Sequence, residues 1–307
     1  KAFKPALPIV MITKSEEEYI MEEAIGSKIS DYLIKPLNPN QILLSVKKIL
    51  DNKRLVSEKT NLNYQQEFQK ISMRVGEDLD FNEWADIYKK LIYWEGEIEQ
   101  TENKSMREVI DMQKVDANAN FSRYIMENYG DWMNNPNIER PLLSYQLMKK
   151  KVFPHIEEGS PLFFILIDNL RYDQWKLMEE QITDLFNIVE DSSYYSILPT
   201  TTAYARNSIF SGLMPKDMAR MHPDLWVGEN SDEGKNLKEK EFLEKQLERN
   251  HLNIKFSYHK ILNQQHGKQL MDSVNNLLTN ELNAVVFNFV DMLSHARTDM
   301  EMIRQLA

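Results

Sequence analysis

Three short stretches combine residue types that can do chemistry with spacings that can bring them together. In "LFFILIDNLRYDQW", Asp168 directly follows an apolar run. In "SILPTTTAYARNSIFSGLMP", Thr200, Thr201 and Thr202 stand in a row after Pro199, ahead of a helix-like segment with Arg206 and Asn207. In "VVFNFVDMLSHARTD", Asp291 again follows an apolar run, and His295 comes four residues later. A carboxylate at the end of a buried strand needs a counter-charge, because an unpaired buried charge is costly. A metal ion is one such partner for Asp168, and Arg171 is another. Asp291 and His295, on a helix or turn leaving the strand, face the same way, which suits a shared divalent ion. Asp299 continues that spacing as a solvent-facing or outlying group. Asp and His without cysteine suit zinc, manganese or a similar borderline ion.

One hydroxyl is enough to cap a helix, so three in a row raise the question of another use. A metal-bound hydroxyl loses its proton more readily and becomes a nucleophile near neutral pH. The threonines also stand at an expected helix N-terminus, where backbone N–H groups and the helix dipole favour an anion. Together the three strand ends describe a metal–hydroxyl–phosphate site. The alternative is that the threonines cap a helix and the acids form salt bridges.

A second constellation lies near the start. Thr13 ends one strand, Lys35 ends the next and is followed by Pro36, and Tyr32 lies three residues before the lysine. In open α/β sheets function gathers at the carboxyl ends of strands, and a hydroxyl with an ammonium there can hold a phosphoryl group. The plain alternative is a solvated strand end and a packed aromatic.

The elements that must position these residues fall into three regions. Residues 1–53 read as β-α-β-α: "PIVMIT" as a strand covered on both faces, a helix opened by Ser15 and Glu18 and closed by Gly26, "DYLIKP" as a second strand, and an amphipathic helix with Pro39 near its start. Residues 54–159 show no strand pattern, and Trp84, Ile87, Leu91 and Trp94 share one helical face, read as the core of a bundle. Residues 160–307 return to α/β. There "PLFFILID" reads as a fully buried strand, "RYDQWKLMEEQI" as a helix, "YYSIL" as a strand and "NAVVFNFVDMLSH" as another. The polar stretch 216–270 reads as an insertion carrying helices such as "EKEFLEKQLERN" and the histidines His222, His251, His259 and His266. Of these His259 can reach a site, but a surface role is expected.

The bulk composition narrows the class. The 307 residues are 42% hydrophobic and 27% charged, as in globular domains. A net charge of −10 argues against a general nucleic-acid surface, though bound metals can supply local positive charge for an anionic substrate. The chain has no cysteine, which rules out disulfides and thiolate metal sites and suits an intracellular protein. No apolar run approaches the roughly 20 residues of a membrane span.

Two resemblances sharpen this reading. Thr13, Lys35 and Tyr32 resemble the C-terminal half of a CheY-like, doubly wound response-regulator receiver. In that family the threonine and lysine contact the phosphoryl group, the aromatic residue switches rotamer, the Lys-Pro peptide is often cis, and magnesium serves the phosphoacceptor site. The phosphoacceptor aspartate would fall before Lys1. The order strand-Asp-x-x-Arg, Pro-x-x-Thr, Asp-x-x-x-His resembles the phosphodiesterase branch of the alkaline phosphatase superfamily. It implies Thr202 as nucleophile, with Thr200 the runner-up and Thr201 the least suited. Asp168 and Thr202 would serve one metal, and Asp291 and His295 the other. The family's Asp-His pair and further histidine are not found here, so by its logic they lie beyond the C-terminus and the chain is an internal fragment.

A receiver, a helical segment and a phosphatase-like domain in this order resemble the PglZ-domain response regulators of Bacteroidetes. That resemblance implies a cytoplasmic phosphodiesterase with two zinc ions, acting on cyclic or linear oligonucleotides and regulating type IX secretion. It also implies a histidine kinase and a sigma factor as partners, and a phosphorylation-dependent homodimer. A non-catalytic regulator acting by protein binding is the competing class, and a phosphotransferase or monoesterase of the same superfamily is a third.

Overall fold

The computed structural model describes residues 7–14, 29–101, 103–135, 137–227 and 236–296, with residues 180 and 293–296 described by their backbone alone. The helix expected at Ser15–Gly26 lies outside the described residues, as does Asp299. The chain forms two compact units, Lys1–Asn128 and Tyr129–Ala307.

The first unit is mainly helical. Its strands β1 (Val10–Thr13) and β2 (Asp31–Ile34) pair in parallel, with Thr13 opposite Ile34 and Tyr32 opposite Met11. The Lys35 N–H donates to the Thr13 carbonyl at 2.7 Å, so Thr13 and Lys35 are neighbours at the carboxyl end of this pair. The Lys35–Pro36 peptide is cis. β1 was expected to be covered on both faces, yet Ile12 is 45% exposed. An apolar run reports hydrophobicity, not how many layers cover it.

Helix α1 (Pro39–Val75) opens on Asn38, whose side chain accepts from the Asn40 N–H at 2.9 Å. Pro39 fills the first helical position, where its missing N–H is not needed. The helix then runs unbroken past residue 53. Helix α2 (Phe81–Gln100) opens with a reciprocal capping box: the Asp80 carboxylate accepts from the Asn82 and Glu83 N–H groups at 2.7 and 2.9 Å, and the Glu83 carboxylate accepts from the Asp80 N–H at 2.9 Å. Trp84, Ile87 and Leu91 are buried with Ile71 and Val75 of α1 and Ala117 of α3 (Lys104–Asn134), and Trp94 packs against them. The aromatic stripe is therefore core. Deeper in, the buried Tyr64 hydroxyl donates to Gln113 Oε1 at 3.1 Å. Gln113 Nε2 in turn donates to the Phe68 carbonyl at 3.0 Å and to Ser72 Oγ at 2.9 Å. Burial pushes the Tyr64 phenol well above its ordinary range.

The second unit holds a parallel sheet of three strands, β3 (Leu162–Ile167), β4 (Phe256–Ile261) and β5 (Leu282–Phe287), in the order β3-β5-β4. The helices are α4 (Tyr172–Thr183), α5 (Thr202–Ser211), α6 (Pro215–Met221), α7 (Glu239–Arg249), α8 (Gln264–Asp272), α9 (Val274–Leu277) and α10 (Phe289–Ala296). The core packs Phe210, Met218, Phe242, Leu243 and Val286 together. α5 ends at Gly212, which takes a left-handed φ of 63° and has Gln246 lying where a Cβ would stand.

Three expectations change here. Among the described residues β5 is the central strand, buried over residues 282–286, whereas β3 lies at an edge with Ile165 57% exposed. "YYSIL" does not join the sheet: Tyr195 makes a single bridge to Leu143, because its N–H goes to the Leu142 carbonyl at 2.7 Å. β4 lies inside the polar 216–270 stretch. Its polar residues are satisfied inside the fold, with Ser257 Oγ donating to Asn283 Oδ1 at 2.7 Å and Lys260 Nζ to the Asn236 carbonyl at 2.9 Å. Among the described residues, no helix is long and apolar enough to cross a membrane.

Candidate functional site

The strand ends of the second unit carry the residues singled out by their chemistry. β3 stops at Ile167, and the Asp168 N–H still donates to the Phe287 carbonyl of β5 at 2.9 Å. This bond seats the Asp168 side chain at the carboxyl end of the sheet. Asn169 then turns the chain with a left-handed φ of 60°, a conformation that Asn tolerates better than most residues. β5 stops at Phe287, the Asn288 N–H donates to the Ile261 carbonyl of β4 at 3.0 Å, and Asp291 falls in the first turn of α10. A carboxylate there is favoured by the helix dipole. Asp168 and Asp291 are close enough for the negative charge of one to act on the other. His295 lies in α10 four residues after Asp291, but its side chain lies outside the described residues.

Thr202 is the first residue of α5, Thr201 is the N-cap, and Thr201 makes no side-chain cap bond. Capping by that hydroxyl does not explain the threonines. Thr200 and Thr201 are exposed and Thr202 is half-buried. The first helical bonds run from the Tyr204 and Ala205 N–H groups to the Thr201 carbonyl, at 3.0 and 2.9 Å. They leave the Thr202 and Ala203 N–H groups outside the helical ladder, as at any helix start.

The loop that delivers the threonines is held from behind. The Ile197 N–H donates to Ser144 Oγ at 3.1 Å, the Leu198 N–H donates to the Tyr129 hydroxyl at 2.8 Å, and Ile197 is fully buried. The Leu198–Pro199 peptide is cis.

Arg206 links these parts. It lies four residues after Thr202 and so on the same face of α5. Its Nη1 donates to Asp168 Oδ2 and to Asn288 Oδ1, both at 2.6 Å, and its Nε donates to Glu239 of α7. The other Glu239 oxygen accepts from the Tyr258 hydroxyl and lies 3.5 Å from Lys260 Nζ. The side chains of Arg206 and Glu239 are 3% and 0% exposed. Burial pushes the Asp168 carboxyl up; Arg206 opposes the shift, while Asp291 and Glu239 add to it. Tyr194 is pushed up as well, first by burial and then by the charge of Asp168.

Arg171 is not the partner of Asp168. It forks onto Asp173, with Nε–Oδ1 at 3.0 Å and Nη2–Oδ2 at 2.7 Å. His259 does not reach the strand ends: it sits in β4 opposite Val285, with Nε2 3.2 Å from Ser257 Oγ. The sequence marks Arg206 in the segment after the threonines without giving it a role, and does not single out Glu239. Arg206 gave a signal, being a lone arginine one turn past the threonines in a run that packs as core. Glu239 gave none, because "KNLKEKEFLEKQ" has the composition of a solvated helix.

Two carboxylates and a hydroxyl are hard oxygen donors of the kind divalent ions take. Burial holds the Asp168 carboxyl above its ordinary value in spite of Arg206, and a cation beside it would favour its charged form. The chain therefore fits a divalent ion at this end of the sheet. Among the described residues, no three His, Asp or Glu side chains converge on one point.

Comparison with protein families gives two matches. Residues 54–133 match the PorX response regulator linker domain. Residues 147–307 match the BREX system PglZ alkaline phosphatase-like domain, more than half of the chain. No curated protein matched the chain. The chain belongs to the PglZ alkaline phosphatase-like family and carries the linker of the PorX response regulators.

Proposed function

We propose that the second unit is the output domain of a response regulator and hydrolyses phosphodiesters of the nucleotide type with the help of divalent metal, zinc being the preferred ion. The observation that carries this reading is the placement of Asp168 after β3 and of Asp291 in the first turn after the adjacent parallel strand β5, with α5 bonded to Asp168 through Arg206 one turn after Thr202.

Asp168 and Thr202 would hold one ion, and Asp291 with His295 a second. Such ions supply Lewis acidity, lowering the pKa of a hydroxyl and neutralising charge on both the attacking and the leaving oxygen. The Thr202 and Ala203 N–H groups at the start of α5 would bind the non-bridging phosphoryl oxygens. Thr202 Oγ would give up its proton to solvent water and attack phosphorus in line. The bond from phosphorus to the leaving alkoxide would break as the alkoxide takes a proton from solvent, and a water molecule, losing a proton to solvent, would then displace Thr202 Oγ from phosphorus and return the hydroxyl. The anchors on Ile197 and Leu198 keep the threonine loop in place for that approach, which is the main protein contribution to such a displacement.

Thr13 and Lys35, adjacent at the end of the β1–β2 pair, suit a phosphoryl-responsive input that would use magnesium in a complete receiver, with Tyr32 as its switching aromatic. Regulation of type IX secretion, a histidine kinase and a sigma factor as partners, and a phosphorylation-dependent homodimer belong to the same proposal. The test is hydrolysis of bis(p-nitrophenyl) phosphate and p-nitrophenyl phosphate with zinc added or chelated. The diester should be cleaved faster, in a zinc-dependent way, and Asp291→Asn should lose about 100-fold or more. Equal rates with and without chelator, or an unaffected D291N variant, would overturn the reading.

A further inference from the structure

The buried ion pair behind the strand ends has no role in the steps above. We infer that Arg206, clamped by Glu239, is the positioning residue that fixes the Asp168 carboxylate for a divalent cation, which makes the polar 216–270 stretch part of the site. The inference rests on the reading of Asp168 as a cation ligand.

A single guanidinium bonds the residues that follow β3 and β5 and is linked to β4 through Glu239. Its Nη1 holds Asp168 after β3 and Asn288 after β5, each at 2.6 Å. Its Nε is bonded to Glu239, whose second oxygen takes the Tyr258 hydroxyl and faces Lys260, both from β4. A guanidinium is a planar fork with donors at fixed angles, so the acceptors it holds are fixed relative to one another. Neither charge can swing out to water. Arg206 and Glu239 are 3% and 0% exposed, and any other rotamer would leave one charge buried and unpaired. Asp168 Oδ2 is thereby turned toward Arg206. Among the described residues nothing donates to Oδ1, and the Asp168 side chain is 19% exposed, so that oxygen remains available to a cation.

Glu239 also corrects the charge. Arg206 alone would neutralise Asp168 and compete with a metal for it. With Glu239 sharing the guanidinium, the cluster sets three carboxylates (Asp168, Asp291 and Glu239) against two cations (Arg206 and Lys260). That balance attracts a cation instead of excluding it. Among the described residues, the arginine–carboxylate pairs Arg171–Asp173 and Arg220–Asp217 of this unit are by contrast 57%/38% and 73%/39% exposed.

The test is zinc affinity, measured by competition with a chromophoric chelator, for the unmodified protein and the Arg206→Lys, Glu239→Gln, Tyr258→Phe and Asp168→Asn variants, each checked for folding by circular dichroism. R206K and E239Q should weaken zinc about 10-fold or more while keeping their helical signal, and the milder Y258F should weaken it about 3-fold. Folded E239Q and Y258F proteins that bind zinc like the unmodified one would overturn the inference. If R206K or E239Q does not fold, Y258F decides in the same way. An unmodified protein that binds no zinc, or a D168N variant that binds it undiminished, would overturn the site reading and this inference with it.

Discussion

The two units handle buried polarity in different ways. In the helical unit the polar centre is neutral: Tyr64 and Gln113 satisfy one another, and Gln113 also bonds the Phe68 carbonyl and Ser72. In the sheet unit the polar centre is ionic, with Arg206 between Asp168 and Glu239. Neutral pairs set the register of packed helices at little desolvation cost. A buried ion pair costs much more to desolvate and is often no more stabilising than an apolar pair of similar size. Its place at the strand ends, beside the threonine helix, fits chemistry better than it fits packing.

The largest effect should come from Arg206→Met. It removes the closest counter-charge of Glu239 and leaves it only Lys260 and the Tyr258 hydroxyl, at a cost of about 3 kcal/mol or more. Amide hydrogen exchange should show faster opening across β3, β4 and β5, with α1 and α2 unchanged. Comparable loosening of α1 would break the contrast between the units. Gln113→Leu should cost less, about 1–3 kcal/mol, because the groups it strands, the Tyr64 hydroxyl, Ser72 Oγ and the Phe68 carbonyl, are all neutral; urea unfolding followed at the helical unit measures it.

The smallest effect is one of pH. His222 is held below its ordinary value of 6.5, first by burial and then by Arg249 and Lys245, and His259 is held below 6.5 by burial and then Lys240. Each binds fewer protons folded than unfolded just below pH 6.5. Their contribution to stability is therefore complete above that pH and is lost as pH falls through the lowered values. The first unit has no histidine. Acidifying from pH 7 to pH 5.5 should lower the melting temperature of the sheet unit selectively, and H222Q should flatten that slope.

Much of this was legible in the sequence. Pro39 and the Trp84–Ile87–Leu91 face located α1 and α2, because both signals act locally, and the charged run "EKEFLEKQLERN" located α7; the Asp80 cap of α2 went unread. Apolar runs located β3 and β5, and the acids after them marked the end of the sheet where chemistry gathers. What local pattern does not carry is pairing. Whether β3 is central or at an edge depends on strand order. β4 was hidden because Tyr258 and Lys260 are satisfied by Glu239, a residue from another element. The sequence offers a metal ion or Arg171, three residues away, as the partner of Asp168, while the fold supplies a protein partner from Arg206, 38 residues on.

The central claim concerns one hydroxyl. The most direct measurement is the rate of diester cleavage by Thr202→Val in the presence of zinc, beside Thr201→Val and Thr200→Val. The account expects T202V to lose on the order of a thousand-fold or more, as removal of a nucleophile does, and T201V to lose little. A T202V enzyme that cleaves the diester at the unmodified rate would contradict it.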